Sequence, residues 1–227
     1  MNISQEDVKQ FKGRYSDENK IIADIIQRRL SEHFEEIIVD VGAGTGDITT
    51  AALPSKKVVQ IDILDYAEYA LSERHCRLVM DFFDYSPRDG EKVGTLFFSH
   101  VLQFIDQDGL RLNHKVSELA PGKVVTVTNV NDGFMGELLT WVRQNFGHAN
   151  PEVDLPGFPS GYHLREEVTF EGHISCEDYH SLGNQVEYLM DSEPTPAEEA
   201  ALRDFLREKL ARPTFPINQS IRVYERA

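Results

Sequence analysis

The sequence predicts an α/β fold: a doubly wound, seven-stranded and mainly parallel sheet with helices on its faces. Three observations carry that prediction. Short runs of β-branched and aliphatic residues recur along the 227-residue chain, with helical patterns between them. Most of the runs are apolar throughout instead of alternating, as a strand covered on both faces requires. The first run, "EEIIVDVGAGTGDIT" at residues 35–49, ends in three glycines at alternate positions, the turn such a sheet uses to meet a ligand.

In chain order, residues 16–34 predict an amphipathic helix capped by Ser16, with Ile21, Ile22, Ile25, Ile26 and Leu30 at helical spacing. "EIIVDV" at 36–41 is the first strand, and a short helix runs from about Asp47 to near Pro54. "KVVQID" at 57–62, "RLVMDF" at 77–82, "GTLFFSH" at 94–100 and "KVVTVTNV" at 123–130 are the next four strands. "DQDGLRLNHKVSELAPG" reads as a helix that stops at Pro121 and Gly122. "GFMGELLTWVRQNFG" is a helix, and "HANPEVDLPGFPSGYH" is a loop rich in proline and glycine. "REEVTFEGHIS" at 165–175 is a strand whose place, main sheet or cover, the pattern leaves open. "CEDYHSLGNQVEYLMD" reads as a helix despite Gly183. "TPAEEAALRDFLREKLA" is a strong helix, with Thr195 as cap, Pro196 at the first position and Glu198 completing a capping box. "NQSIRVYERA" is the final strand.

Composition narrows the function. The formal charge is −15 and the densest basic run is "IQRRLS", so no nucleic-acid partner is expected; phosphate contacts dominate such affinities. The polar start "MNISQEDVKQ" does not resemble a signal peptide. No apolar stretch approaches the roughly 18 residues of a membrane span. Cys76 and Cys176 read as two reduced thiols of a cytoplasmic protein.

The glycines ask for a ligand. Gly42, Gly44 and Gly46 follow a strand that ends at Asp40 and Val41. Glycine permits positive φ and lets a ligand approach the main chain with no Cβ in the way. Dinucleotide enzymes use G-x-G-x-x-G to seat a pyrophosphate on a helix N-terminus. Here the residue three after Gly44 is Asp47, whose carboxylate would repel that group.

The pattern present, Asp40-x-Gly42-x-Gly44-x-Gly46, resembles the first motif of the class I S-adenosylmethionine (SAM) methyltransferases. The resemblance continues over about residues 35–130. Asp62 closes the second strand, where the family has an acidic acceptor for both ribose hydroxyls. Asp81 follows the third, where an Asp accepts from the adenine amino group, with the next residue's backbone amide at the ring and an apolar side chain beside it, a role Phe82 and Phe83 fit. "FFSHVLQFI" resembles the segment whose carbonyl, at Ser99 or His100, binds the SAM ammonium, while Val101, Leu102 and Gln103 line the adenosine. The resemblance thus implies SAM as cofactor and S-adenosylhomocysteine (SAH) as product. The implied contacts are Asp40, Gly42, Ala43, Gly44, Gly46, Asp62, Ile63, Asp81, Phe82, Phe83, Ser99 and His100. It also implies one domain over 1–227: a cap helix at 1–34, a SAM-binding core at 35–130, a substrate cover at 131–215 and a last strand at 216–227.

The acceptor is less legible. The aromatic segment of amino-DNA methyltransferases is replaced by "SHVL", and the paired-glutamate loop of protein arginine methyltransferases is missing. No metal is expected, because Asn129, Asn131 and Asp132 supply a single carboxylate and hard cations want several. A small molecule methylated on N or O remains, plausibly a heterocyclic or secondary metabolite, and the carboxy-terminal half is dense in aromatic and imidazole groups that suit an enclosed pocket. The candidate substrate residues are Tyr15, Gln103, Asn129, Phe134, Tyr162 and His163. His100 and Tyr15 are the candidate catalytic residues; histidine is suited to proton transfer at neutral pH. The alternatives are a protein or tRNA methyltransferase, or a catalytically silent SAM-fold subunit. A monomer or homodimer that meets no membrane is expected.

Overall fold

The structure, a computed structural model, describes residues 17–35, 37–105, 109–130, 132–146, 158–175, 195–211 and 214–227. Ser16, Cys176 and the helix predicted in "CEDYHSLGNQVEYLMD" lie outside the described residues. Seven strands are present: β1 Ile38–Val41, β2 Val58–Asp62, β3 His75–Val79, β4 Thr95–Ser99, β5 Lys123–Asn129, β6 Tyr162–Ser175 and β7 Thr214–Arg226. They form one sheet in the order β3-β2-β1-β4-β5-β7-β6. β1 pairs in parallel with β2 and β4, β2 with β3, and β4 with β5. The fold class is the expected one, and the strand predicted at 165–175 joins the sheet at its edge, beside β7.

The helices are α1 Glu18–Ile25, α2 Asp47–Ala52, α3 Leu102–Ile105, α4 Leu110–Leu119, α5 Gly133–Phe146 and α6 Pro196–Lys209. α1 widens into a π turn over Ile26–Leu30 and tightens into a 3₁₀ turn over Ser31–His33, so the predicted single helix is three segments. Its apolar face is that of the prediction: Ile22, Ile26 and Leu30 are fully buried. Phe34 then packs edge-on against Phe97 of β4 at 5.7 Å. α6 carries the predicted capping box, with Thr195 N–H donating to Glu198 Oε2 at 2.7 Å and Glu198 N–H to Thr195 Oγ1 at 3.3 Å.

Three predicted boundaries shift. β3 starts and ends earlier than the 77–82 expected, because Asp81 caps a 3₁₀ turn at Phe82–Asp84 and so leaves the ladder. β6 begins at Tyr162, so Tyr162 and His163 belong to a strand and not to the preceding loop. β7 begins at Thr214, earlier than predicted. Among the described residues, no helix is long and apolar enough to cross a membrane.

Burial explains the sequence pattern. Every residue of β1 and β4 is buried, whereas the edge strand β3 buries only His75 fully. Val39, Val41, Ile61, Phe82, Leu96, Phe98, Leu112 and Val116 share one core cluster. Burying each such side chain is worth about 1.5–3 kcal/mol, so this cluster contributes substantially to stability. The chain groups into two compact units. The larger holds Asn19–Thr128, the described part of Val153–Thr169, and Ser220–Ala227. The other holds the described parts of Met1–Glu18, Asn129–Glu152 and Phe170–Gln219.

Candidate functional site

The order of strands reverses between β1 and β4, and the register sets the strand ends side by side. Val41 lies opposite both Ile61 and Phe98, so Gly42, Asp62 and Ser99 leave the sheet as neighbours. In open α/β sheets a ligand binds in the crevice at such a reversal.

Gly42 and Ala43 donate their N–H groups to the Ile61 carbonyl at 2.8 and 3.1 Å, and Gly46 N–H closes the turn on Ala43 O at 2.9 Å. All three glycines are left-handed, with φ of 66°, 54° and 74°. Their surroundings differ. A Cβ on Gly42 would lie 2.1 Å from Val101 Cγ2, and one on Gly46 would lie 2.3 Å from the Gln60 amide. A Cβ on Gly44 would meet nothing within 4 Å. Gly42 and Gly46 are therefore bare because protein fills the space. Gly44 alone presents open main chain, the vacancy a ligand can use.

Asp62, at the end of β2, stands against that opening. Its Oδ2 accepts the Gly44 N–H at 2.8 Å and its Oδ1 accepts the Leu64 N–H at 2.9 Å. Each oxygen is fixed by one amide and keeps lone-pair capacity for a further donor. Ile63 beside it is an exposed apolar side chain, 72% accessible. A carboxylate, a bare glycine and an apolar wall are the features a ribose, its adenine and an attached chain would need.

Asp40 is buried and accepts the Thr49 hydroxyl at 2.6 Å, so it orders the loop from beneath instead of facing the crevice. Asp47 opens α2 and accepts the Thr45 hydroxyl at 2.8 Å, leaving an exposed carboxylate where a pyrophosphate would sit. Asp81 is exposed and accepts the Phe83 N–H at 3.0 Å, so it does cap a turn. Phe82 is buried and meets Phe98 edge-on at 5.8 Å, so its side chain packs in the core, and the role expected of its backbone amide does not depend on that side chain. Phe83 is half-buried, with the Arg111 guanidinium 4.0 Å from its ring centre.

Ser99 is buried, and among the described residues its Oγ has no hydrogen-bond partner. His100 turns sharply out of β4 with φ 53° while its N–H bonds Val127 O at 3.0 Å. Such a backbone costs a non-glycine residue about 1–2 kcal/mol, and strain of this kind clusters at functional sites. Tyr15 lies outside the described residues, and Gln103 falls on α3. Asn129 ends β5, exposed, its Oδ1 accepting from Gln219 Nε2 at 3.3 Å. Phe134 is half-buried in the first turn of α5. His163 is exposed on β6.

Tyr162 does not fit the substrate role given to it from sequence. Its hydroxyl donates to Pro121 O at 2.7 Å, ahead of β5, whereas the glycine loop follows the opposite, carboxyl end of the strands. Burial pushes its phenol pKa up, as a packed, neutral tyrosine requires. Two residues of the site escaped sequence reading: Gln60, fully buried within β2, and Arg77 within β3. A polar residue inside an otherwise apolar strand could have flagged Gln60, though not its contacts; Arg77, in the mixed edge strand β3, carried no such signal.

No protein-family model and no curated protein sequence matches the chain. Solved structures do. The N-methyltransferase NodS from Bradyrhizobium japonicum WM9, in complex with SAH, matches with a TM-score of 0.50 at 12% identity, covering 94% of this chain and 89% of that one. The 1,6-didemethyltoxoflavin-N1-methyltransferase of Burkholderia thailandensis, with bound 1,6-didemethyltoxoflavin and SAH, matches at 0.50 and 11% identity, covering 92% and 78%. The [4+2]-cyclase SpnF matches at 0.54 and 13% identity, covering 92% and 81%. The fold is the one that class I SAM-dependent methyltransferases share.

Proposed function

We propose that the chain is a SAM-dependent methyltransferase that transfers a methyl group to an N or O atom of a small molecule and releases SAH. Fold alone does not carry this, since the same architecture serves a [4+2]-cyclase. The observation that carries it is Asp62, held by the Gly44 and Leu64 amides beside the open space over Gly44. The surrounding carboxylates, Asp47, Asp62 and Asp81, favour a cation and oppose a pyrophosphate.

When bound, SAM supplies a methyl carbon made electrophilic by its sulfonium. The chain's own residues bind and orient. Asp62 would accept from the ribose hydroxyls, Ile63 and Phe83 would offer apolar surface to the adenine, and the Ser99 or His100 carbonyl would accept from the ammonium. Asp40 supports the loop from below. The His100 imidazole takes the acceptor's proton or orients the acceptor. What remains is alignment of the acceptor with the methyl carbon and exclusion of water.

Tyr15, Gln103, Asn129, Phe134 and His163 are proposed on the acceptor side, with residues 131–215 as cover and 35–130 as cofactor core. An uncharged or cationic metabolite fits a chain of formal charge −15 better than a polyanionic RNA does. The protein is proposed to work in the cytoplasm as a monomer or homodimer. The test is to incubate it with methyl-labelled SAM and a panel of amine- and hydroxyl-bearing heterocycles. Label should appear in an acceptor, with SAH formed in step. Tight SAM binding with no acceptor methylated across a broad panel would favour a silent subunit, and absence of SAM binding would refute the reading.

A further inference from the structure

The arginine of β3 reaches across the buried strand β2 to the back of the glycine loop. Arg77 Nη2 donates to the Thr45 carbonyl at 2.9 Å and to Gln60 Oε1 at 2.9 Å. Its Nη1 donates to the carbonyl of Tyr66, which is buried in the segment that follows Asp62. Gln60 completes the contact from beneath. Its Nε2 lies 3.2 Å from Gly46 O, 3.1 Å from Thr49 Oγ1 and 3.3 Å from Thr50 Oγ1. Thr49 in turn donates to Asp40. One planar cation thus holds a carbonyl from each of two loops, and the only fully buried amide of β2 fills the gap between them.

We infer that Arg77 and Gln60 are positioning residues of the cofactor site: together they fix the separation between the glycine loop and the loop after Asp62. This rests on the proposed function, since it assumes that a ligand spans both loops. A guanidinium suits the task because its donors form a rigid fork, so two carbonyls approached from different directions share one group. A lysine ammonium keeps the charge but has no such fork. The absent Cβ of Gly46 belongs to the same device, since the Gln60 amide occupies that space. The arginine also sets a positive charge behind a loop bordered by Asp40, Asp47 and Asp62, and lets those carboxylates stand close together.

The inference predicts a split between ligands. A ligand that touches both loops needs their separation fixed; one that touches the second loop alone does not. Titration calorimetry of the full chain with SAH and with adenosine, which lacks the amino-acid chain, reads this directly. Arg77→Met should weaken SAH binding tenfold or more while changing adenosine binding less than twofold. Arg77→Lys, the variant to use if Arg77→Met does not fold, should lose about threefold for SAH and spare adenosine. Gln60→Leu should show the same split. Unchanged SAH affinity in folded variants, or an equal loss for both ligands, would overturn the inference. A wild-type chain that binds neither ligand would instead overturn the methyltransferase reading, and with it this one.

Discussion

The two compact units use polar and aromatic groups in different ways. In the unit built on β1 to β4, side chains bond to main chain far away in sequence: Asp62 holds Gly44, and Arg77 holds Thr45 and Tyr66. Among the described residues of the unit that contains α5 and α6, several contacts join side chain to side chain. Trp141 stacks on Phe205 at 4.7 Å and meets Phe146 edge-on at 5.1 Å. Lys209 pairs with Glu137 at 3.2 Å, Asn218 donates to Asp132 at 2.7 Å, and Gln219 donates to the buried Glu18 at 2.7 Å. The first arrangement fixes backbone, as the proposed cofactor seat would require; the second links side chains to one another.

Substitutions can break this contrast. Asp62→Ala removes two charge-assisted acceptors, which together are worth about 3 kcal/mol, so SAH affinity should fall roughly a hundredfold in calorimetry. The melting temperature should fall by several degrees as well, because the same carboxylate anchors the Gly44 and Leu64 amides. His100→Ala should lower turnover by roughly a hundredfold, the low end for loss of a general acid or base, while SAH affinity stays within about threefold. Equal turnover with the true acceptor would remove the imidazole from the mechanism.

The glycines sharpen the comparison within one loop. Gly46→Ala drives a methyl group into the Gln60 amide and should cost about 2–3 kcal/mol of stability in thermal melts. Gly44→Ala meets no protein, so its stability cost is limited to the roughly 1–2 kcal/mol of a left-handed backbone. Its larger effect should be on SAH binding. The reverse pattern, Gly44→Ala tolerated for binding and Gly46→Ala harmless to stability, would place the ligand elsewhere.

The smallest effect is one of pH. His75 is buried and its Nε2 lies 3.1 Å from Leu53 O, and burial lowers its pKa below the ordinary 6.5. A depressed folded pKa means the unfolded chain gains its proton first. The stability His75 contributes is whole above pH 6.5 and is lost as pH falls below it toward the folded value. Denaturation at pH 7.5 and 5.5 should show that loss, at no more than about 1.4 kcal/mol per pH unit for one proton. His75→Gln should flatten it.

Much of the fold was legible because its signals are local. Continuous apolar runs at β1, β2, β4 and β5 mark strands buried on both faces, and Thr195, Pro196 and Glu198 announce the start of α6. The ends of β3 and β6 were not legible: one depends on a cap made by Asp81, the other on a hydrogen bond from Tyr162 to a residue far earlier in the chain. The acidic strand ends were legible by spacing. Gln60 and Arg77 were not, because what matters about them is the carbonyls they reach, and no pattern of residue types encodes that. Nor could spacing divide the glycines into two shaped by neighbouring side chains and one left open.

Titration of the intact wild-type chain with SAH and, separately, with NAD tests the central claim most directly. The seat formed by Gly44 and Asp62 should bind SAH with a dissociation constant in the micromolar range and give no heat with NAD. Binding of NAD, or no binding of SAH at millimolar concentration, would contradict it.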